Sequence, residues 1–142
     1  MYWYGKESMY EREDVVLSVV HPKAHRTSGN FEVSEVETTV IGHRMAGLSL
    51  VCLAQIHTHP DMINEHSSYD DNHAISRRNG FLSLVAVNYG NIPRFDLHDL
   101  TVHESWDKEW LVLNDSAKSK RIRLIDDQNP VEGGSEDESV SP

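Results

Sequence analysis

The sequence predicts an α/β protein with a single domain, in which a mixed β-sheet is flanked by helices. Its 142 residues, 38% of them hydrophobic, suffice for one sizeable core and not for two. Apolar runs of strand length alternate along the chain with segments of helical character. One of these runs, Leu48–Ile56, is followed directly by histidines, a residue type that binds metals. Functional groups of α/β proteins commonly lie at such strand ends.

The first third of the chain has the pattern of two strands followed by a helix. Short apolar runs rich in Val and Tyr indicate the strands, and a Ser before a longer segment indicates the start of the helix. In order, we expect a strand at Tyr2–Gly5, a charged hairpin loop at Glu7–Glu13, a buried strand at Val15–Val20, and a helix at Val33–Ala46 capped near Ser34 and closed by Gly47.

The apolar run Leu48–Ile56 predicts a buried strand that leads into two histidines. Side chains alternate across a strand, so His57 and His59 project to the same face, close enough to share one ion. Pro60 has no amide hydrogen to donate, so it ends the strand after the second histidine.

A polar loop over Asp61–Ser68 and a short helix over Tyr69–Arg78 are expected next, with Ser67 or Ser68 as the helix cap. Asp70 then lies in the first turn of the helix. Two histidines and one aspartate suit zinc when a fourth position is left to water. Ser67 could hydrogen-bond that water or a developing oxyanion.

The pattern His57-x-His59, seven residues, Ser67, two residues, Asp70 closely resembles the JAMM signature of the JAB/MPN family of zinc metallopeptidases. The resemblance implies that His57, His59 and Asp70 bind Zn²⁺ and that Ser67 lies beside the catalytic water. It implies a JAB/MPN fold, which is cytidine-deaminase-like. The implied activity is hydrolysis of peptide or isopeptide bonds in a protein or peptide substrate, including bonds next to a ubiquitin-like C-terminal tail.

Two further segments resemble prokaryotic JAB proteins. Gly80–Gly90 is similar to the strand that follows the motif helix, and Tyr2–Gly5 is similar to the end of the early strand. The family's general acid/base glutamate lies several residues before the glycine matched by Gly5, which places it before Met1. Its loss removes a contribution of roughly 100- to 10,000-fold to the rate.

Three explanations for the missing glutamate are open: a start codon placed too late, a truncated remnant, or a substitute among Glu7, Glu11 and Glu13. We favour the first, with the N-terminal strand cut short. The alternative function is a catalytically inactive protein-binding module that retains the metal site. A partial match of His57-x-His59-x-Asp61 to the metallo-β-lactamase motif is a weaker alternative, because Met62 stands where the next histidine belongs.

The remaining histidines repeat no such spacing, and surface positions are expected for them: His21, His25, His43, His66, His73, His98 and His103. Arg94–His98 and Leu100–His103 alternate like edge strands, and Trp110–Leu113 offers another apolar patch. The domain is expected to span residues 1–125. Residues 126–142 have the composition of an acidic disordered tail.

Charge and composition exclude several classes of protein. With 23 acidic and 13 basic residues, the net charge of -10 argues against a nucleic-acid partner. The single cysteine, Cys52, allows no intrachain disulfide and fits a reducing compartment. No apolar run approaches the roughly 20 residues that span a bilayer, so we expect a cytoplasmic protein with no membrane partner.

Overall fold

The computed structural model describes residues 1–8, 14–26, 31–60, 66, 68–91 and 96–123. These residues form an α/β fold. Its strands are β1 (Tyr2–Lys6), β2 (Val15–Val20), β3 (His25–Arg26), β4 (Phe31–Glu32), β5 (Val51–Thr58), β6 (Leu82–Ala86), β7 (Leu100–Trp106) and β8 (Glu109–Val112). Its α-helices are α1 (Glu35–Gly47), α2 (Ser68–His73) and α3 (Asp115–Arg121). None of these helices is long and apolar enough to cross a membrane.

A six-stranded mixed sheet organises the molecule. Its strands lie in the order β2-β1-β5-β6-β7-β8, and β3 pairs with β4 separately. Strands β5 and β6 are parallel, whereas the other neighbours in this sheet are antiparallel. A parallel pair needs a crossover connection, and the crossover from β5 to β6 carries α2. The carboxyl end of β5 therefore leads directly into the segment that contains this helix.

Side chains pack on both faces of the central strands. One face carries an apolar cluster made of Ala54, Ile56, Leu82, Leu84, Ala86, Leu100 and Val102. On the other face, Ile41 and Met45 of α1 pack against Tyr4 of β1. Because side chains alternate along a strand, this second face also receives the residues between the apolar ones of β5, β6 and β7.

Close approach of β1 to β2 requires a glycine at residue 5. The pairing register shifts between Tyr4 and Gly5. A Cβ atom at Gly5 would lie 1.9 Å from the carbonyl oxygen of Val15, far inside van der Waals contact. Both predicted strands are present, and they form the expected antiparallel hairpin, of which residues 9–13 lie outside the described part.

The prediction of a buried strand at Val15–Val20 is correct for the strand and wrong for its burial. β2 is an edge of the sheet, and Leu17 and Val19 are 60% and 57% exposed. A continuous apolar run is typical of a central strand. The local pattern, however, does not specify how many partners the strand finds.

The opposite error concerns Leu100–His103, which were predicted as an edge strand. They belong to β7, which lies between β6 and β8, and Leu100 and Val102 are buried. The strand predicted at Arg94–His98 is also wrong where it is described, because Leu97–Asp99 form a 3-10 turn. The Asp96 carboxylate caps this turn by accepting a hydrogen bond from the His98 amide at 2.9 Å.

The predicted helices occur with corrected bounds. The Ser34 hydroxyl caps α1 as expected, and after Gly47 the left-handed conformation is adopted by Ser49, with φ 55°, instead of a glycine. α2 ends at His73 and not at Arg78, because the Ile75 amide donates to the side chain of Gln55 rather than continuing the helix. α3 was not predicted, and the predicted tail 126–142 lies outside the described residues.

Candidate metal centre

The two motif histidines lie at the carboxyl end of β5. His57 is in the strand opposite Val85 of β6, and His59 follows directly after it. The amide of His59 donates to the Ala86 carbonyl at 2.9 Å, and its carbonyl accepts from the Tyr89 amide at 2.8 Å. These hydrogen bonds continue the sheet past the strand end, so the backbone of both histidines is held firmly.

Asp70 reaches this pair of histidines from the first turn of α2. Its Oδ1 atom lies 3.3 Å from Nε2 of His57, and its Oδ2 atom lies 3.4 Å from Nε2 of His59. Potential ligand atoms of the three side chains all lie within 4.8 Å of one another. The structure thus brings together the three side chains that the motif predicted as ligands, and the group could hold a metal ion.

The electrostatics of His57 suit a metal ligand. Its Nε2 atom is buried and has no hydrogen-bond partner among the described residues. Burial lowers the pKa of His57 to about 4, although the nearby Asp70 carboxylate raises this pKa in part. The imidazole is therefore neutral at physiological pH, and a neutral imidazole is the form that coordinates metals. An ion would give this otherwise unsatisfied nitrogen a partner.

The other predicted site residues fall elsewhere. Ser67 lies outside the described residues, as do Glu11 and Glu13. Glu7 forms an ion pair with Arg78, whose guanidinium also donates to the Cys52 carbonyl near the start of β5. At about 3.3 Å per strand residue, Cys52 lies about 16 Å from His57 along β5, so Glu7 is too far away to act as a proton carrier there.

A cavity of about 490 Å³ opens beside the candidate metal centre. His57 and Asp70 line it on one side, and Glu35 and Thr38 of α1 line it on another. This size is within the range of ligand pockets in proteins. A molecule bound in this cavity would be next to an ion held by the three ligands.

Sequence reasoning missed a polar cluster directly behind the candidate metal centre. His66 Nδ1 lies 3.1 Å from the carboxylate of Asp71, and His66 Nε2 lies 2.9 Å from the hydroxyl of Ser83. This is the connectivity of a Ser-His-Asp triad. Ser83, however, is fully buried, so its hydroxyl cannot attack a bound substrate. The expected surface position of His66 is wrong, since 6% of its side chain is exposed.

Comparisons with known proteins bear on the fold. No protein-family model matches the chain, and no curated protein matches it. The chain is similar to the solution structure of a protein from Salinibacter ruber, with a TM-score of 0.53 and 16% sequence identity. The similarity covers 80% of this chain and 72% of that one. At this identity the likeness concerns the overall fold, and the chain shares its α/β architecture with that protein.

Proposed function

We propose that this protein is a zinc-dependent hydrolase of peptide or isopeptide bonds, of the JAMM type. The observation that carries the proposal is the convergence of His57 and His59, at the end of β5, and Asp70, in the first turn of α2, onto one point beside a cavity. Their spacing in the sequence also matches the JAMM signature. Sequence pattern and spatial arrangement therefore support the same set of ligands.

Zinc fits the spacing of these ligands. Zinc binds His nitrogen and Asp oxygen at about 2.0–2.2 Å in tetrahedral geometry, so that two donor atoms lie about 3.4 Å apart. Each histidine nitrogen lies near this spacing from one oxygen of Asp70, His57 Nε2 at 3.3 Å from Oδ1 and His59 Nε2 at 3.4 Å from Oδ2. Ligand atoms of all three residues lie within 4.8 Å of one another. Three protein ligands leave the fourth position open, as catalytic zinc sites do.

The proposed hydrolysis would use the ion and the cavity beside it. A divalent ion held there supplies Lewis acidity, which polarises a carbonyl and makes water reactive near neutral pH. A substrate segment bound in the cavity between α1 and β5 would lie next to His57 and Asp70. In the proposed reaction, Ser67 hydrogen-bonds the developing oxyanion.

Glu35 is a candidate within the described residues for the proton carrier of the proposed reaction. Glu35, in the first turn of α1, lines the cavity together with His57 and Asp70. A general base must come within hydrogen-bond reach of the proton it takes, directly or through one water. If Glu35 performs this role, Glu35→Gln lowers turnover by about 100- to 10,000-fold with zinc still bound; an unchanged turnover assigns the role elsewhere.

Metal content tests the ligand assignment. The purified chain should contain one zinc per molecule by mass spectrometry, and the double variant His57→Ala/His59→Ala should contain none. The matched control is His21→Ala/His43→Ala, which changes two exposed histidines and should retain zinc. A folded wild-type chain that binds neither zinc nor another divalent ion would overturn the proposal.

Cleavage separates the enzyme from the alternative, a binding module that keeps the ion. The zinc-loaded chain, alone and with an upstream N-terminal extension, is incubated with a fusion of a ubiquitin-like protein to a peptide. A hydrolase releases the peptide, loses activity with a chelator and regains it with zinc. Binding of the fusion without cleavage by either form would favour the module.

A further inference from the structure

A row of buried polar side chains crosses the sheet beneath α2. Gln55 of β5 pairs with Ser83 of β6, and Ser83 pairs with His103 of β7. Directly paired residues on neighbouring strands share a face of the sheet. All three are at least 92% buried, since 8% of Gln55, none of Ser83 and 2% of His103 is exposed. Burying three polar side chains in adjacent strands is costly unless they are hydrogen-bonded, so this row needs a specific explanation.

The directions of the hydrogen bonds follow from the chemistry of the groups. The Gln55 amide donates from Nε2 to the Ser83 hydroxyl oxygen at 3.0 Å. A carboxylate only accepts, so Nδ1 of His66 donates to Asp71 at 3.1 Å. In the neutral imidazole Nε2 is then an acceptor, and it accepts the Ser83 hydroxyl proton at 2.9 Å. The chain Gln55–Ser83–His66–Asp71 is thus satisfied at every step.

Ring contacts fix the orientation of the His66 imidazole. The ring stacks on His103, with centroids 3.9 Å apart and planes inclined by 25°. The edge of Trp110 contacts it at a centroid distance of 4.8 Å, and the His57 ring lies 5.6 Å away. An imidazole held between two rings cannot turn without breaking both of its hydrogen bonds.

The same pair of sheet residues also holds the other end of α2. The backbone amide of Ile75, just after the helix, donates to Oε1 of Gln55 at 3.0 Å. Gln55 is in turn bonded to Ser83, which holds His66 just before the helix. Arg77 adds a hydrogen bond to the Asp71 carbonyl. Both flanks of a six-residue helix are therefore attached to one buried point on β5 and β6.

We propose that the chain Gln55–Ser83–His66–Asp71 is a positioning network that holds Asp70 in place as a metal ligand, with His66 as its central positioning residue. A helix of six residues is not stable by itself. Asp70 is adjacent to Asp71, so a shift of the network moves the ligand. This inference rests on the proposed metal site. It goes beyond that site by naming the residues that hold the ligand Asp70 in position.

Binding of Co²⁺ alone tests the network. His66→Phe keeps the ring packing and removes both hydrogen bonds, and His43→Phe at an exposed position of α1 is the matched control. We expect His66→Phe to bind Co²⁺ about 10- to 100-fold more weakly than wild type. Its visible absorption spectrum, which reports ligand geometry, should change, while the control retains both properties.

A second pair of variants separates hydrogen bonding from charge. Asp71→Asn keeps an oxygen that accepts from His66 Nδ1, whereas Asp71→Ala removes it. Both variants lose the same negative charge. Affinity for Co²⁺ should stay within about threefold of wild type in Asp71→Asn and fall by about tenfold or more in Asp71→Ala.

The outcomes distinguish this inference from the proposed function. If wild type binds no Co²⁺, the metal site itself is wrong. If wild type binds and the His66→Phe variant shows the same affinity and spectrum, the positioning network is wrong and the metal site stands. Should His66→Phe fail to fold, the Asp71 pair decides, and equal affinities of Asp71→Asn and Asp71→Ala contradict the network.

Discussion

His57 and Asp70 face each other across the gap between a strand and a helix, with Nε2 of the histidine 3.3 Å from Oδ1 of the aspartate. The imidazole is neutral because burial lowers its pKa to about 4, so the contact is not a full ion pair. Nε2 of His57 is buried and has no hydrogen-bond partner in the part of the chain that the structure describes, so its arrangement with the Asp70 carboxylate is incomplete. A cation between them would complete it.

Asp70→Asn should therefore weaken zinc binding. Removing the anionic ligand leaves two neutral imidazoles, and we expect a loss of affinity of more than about 100-fold, larger than for a residue that only supports a ligand. Competition with a chromophoric chelator measures it. Asp99→Asn, at an exposed position of the 3-10 turn Leu97–Asp99, is the control. Equal loss in both variants would point to a nonspecific effect of charge.

The stability of the metal-free protein should fall in mild acid. Burial lowers the pKa of His57 and of His103 to about 4, compared with 6.5 for an unperturbed histidine. Between these values the unfolded chain binds protons that the folded chain does not. Stability is therefore complete above pH 6.5 and decreases as the pH falls towards 4, by up to about 1.4 kcal/mol per pH unit for each histidine.

Urea unfolding of chelator-treated protein at pH 7.5, 6.5 and 5.0 measures this slope. His103→Gln removes one of the buried histidines and should reduce the slope, whatever its effect on stability at pH 7.5. His43→Gln, at an exposed position, is the matched control. A wild-type slope in the His103→Gln variant would contradict the assignment.

Gly5→Ala and Gly42→Ala should have opposite effects on stability. The new Cβ at residue 5 would meet the Val15 carbonyl at 1.9 Å, so β1 and β2 must separate, at a cost of about 1–3 kcal/mol. No atom of the described residues lies within 4 Å of a Cβ at Gly42 in α1, where alanine favours the helix by about 0.5–1 kcal/mol. Thermal unfolding of both variants checks the prediction, and destabilisation by Gly42→Ala would contradict it.

Lys118 should stabilise the packing of α3 against the sheet. Its ammonium group is buried, donates to the Leu100 carbonyl at 3.1 Å and pairs with Asp115 at 2.8 Å. Lys118→Ala removes a hydrogen bond from a charged donor, and we expect the free energy of unfolding to drop by about 1.5–3 kcal/mol. Lys120→Ala, exposed on the same helix, should change it by less than about 0.5 kcal/mol.

Local patterns predicted the elements of the fold better than their places in the sheet. The Ser34 cap and the Pro60 break act on their own neighbours, so α1 and the end of β5 could be predicted. The exposure of β2 and the burial of β7 depend on which strands lie beside them. The neighbours of each strand are set by pairing with segments distant in sequence, and the sequence of a single segment does not specify them.

The candidate site shows the same division. His57, His59 and Asp70 lie within one short stretch, and their spacing sufficed to group them. The network behind them was missed because Ser83 and His103 come from other strands and meet His66 only through the register of the sheet. One signal was present: Ser83 is a polar residue inside the apolar run of β6, where burial without a partner is costly.

The contrast between the two faces of the sheet has a consequence for how this molecule tolerates sequence change. Leu84 and Val102 on the apolar face and Ser83 and His103 on the polar face alternate along the same strands. The residues of the apolar core and the residues of the buried polar cluster thus occupy alternate positions of these strands. Substitutions on the apolar face therefore change the free energy of unfolding, while substitutions at Ser83 or His103 change the buried contacts of His66 beside the candidate metal centre.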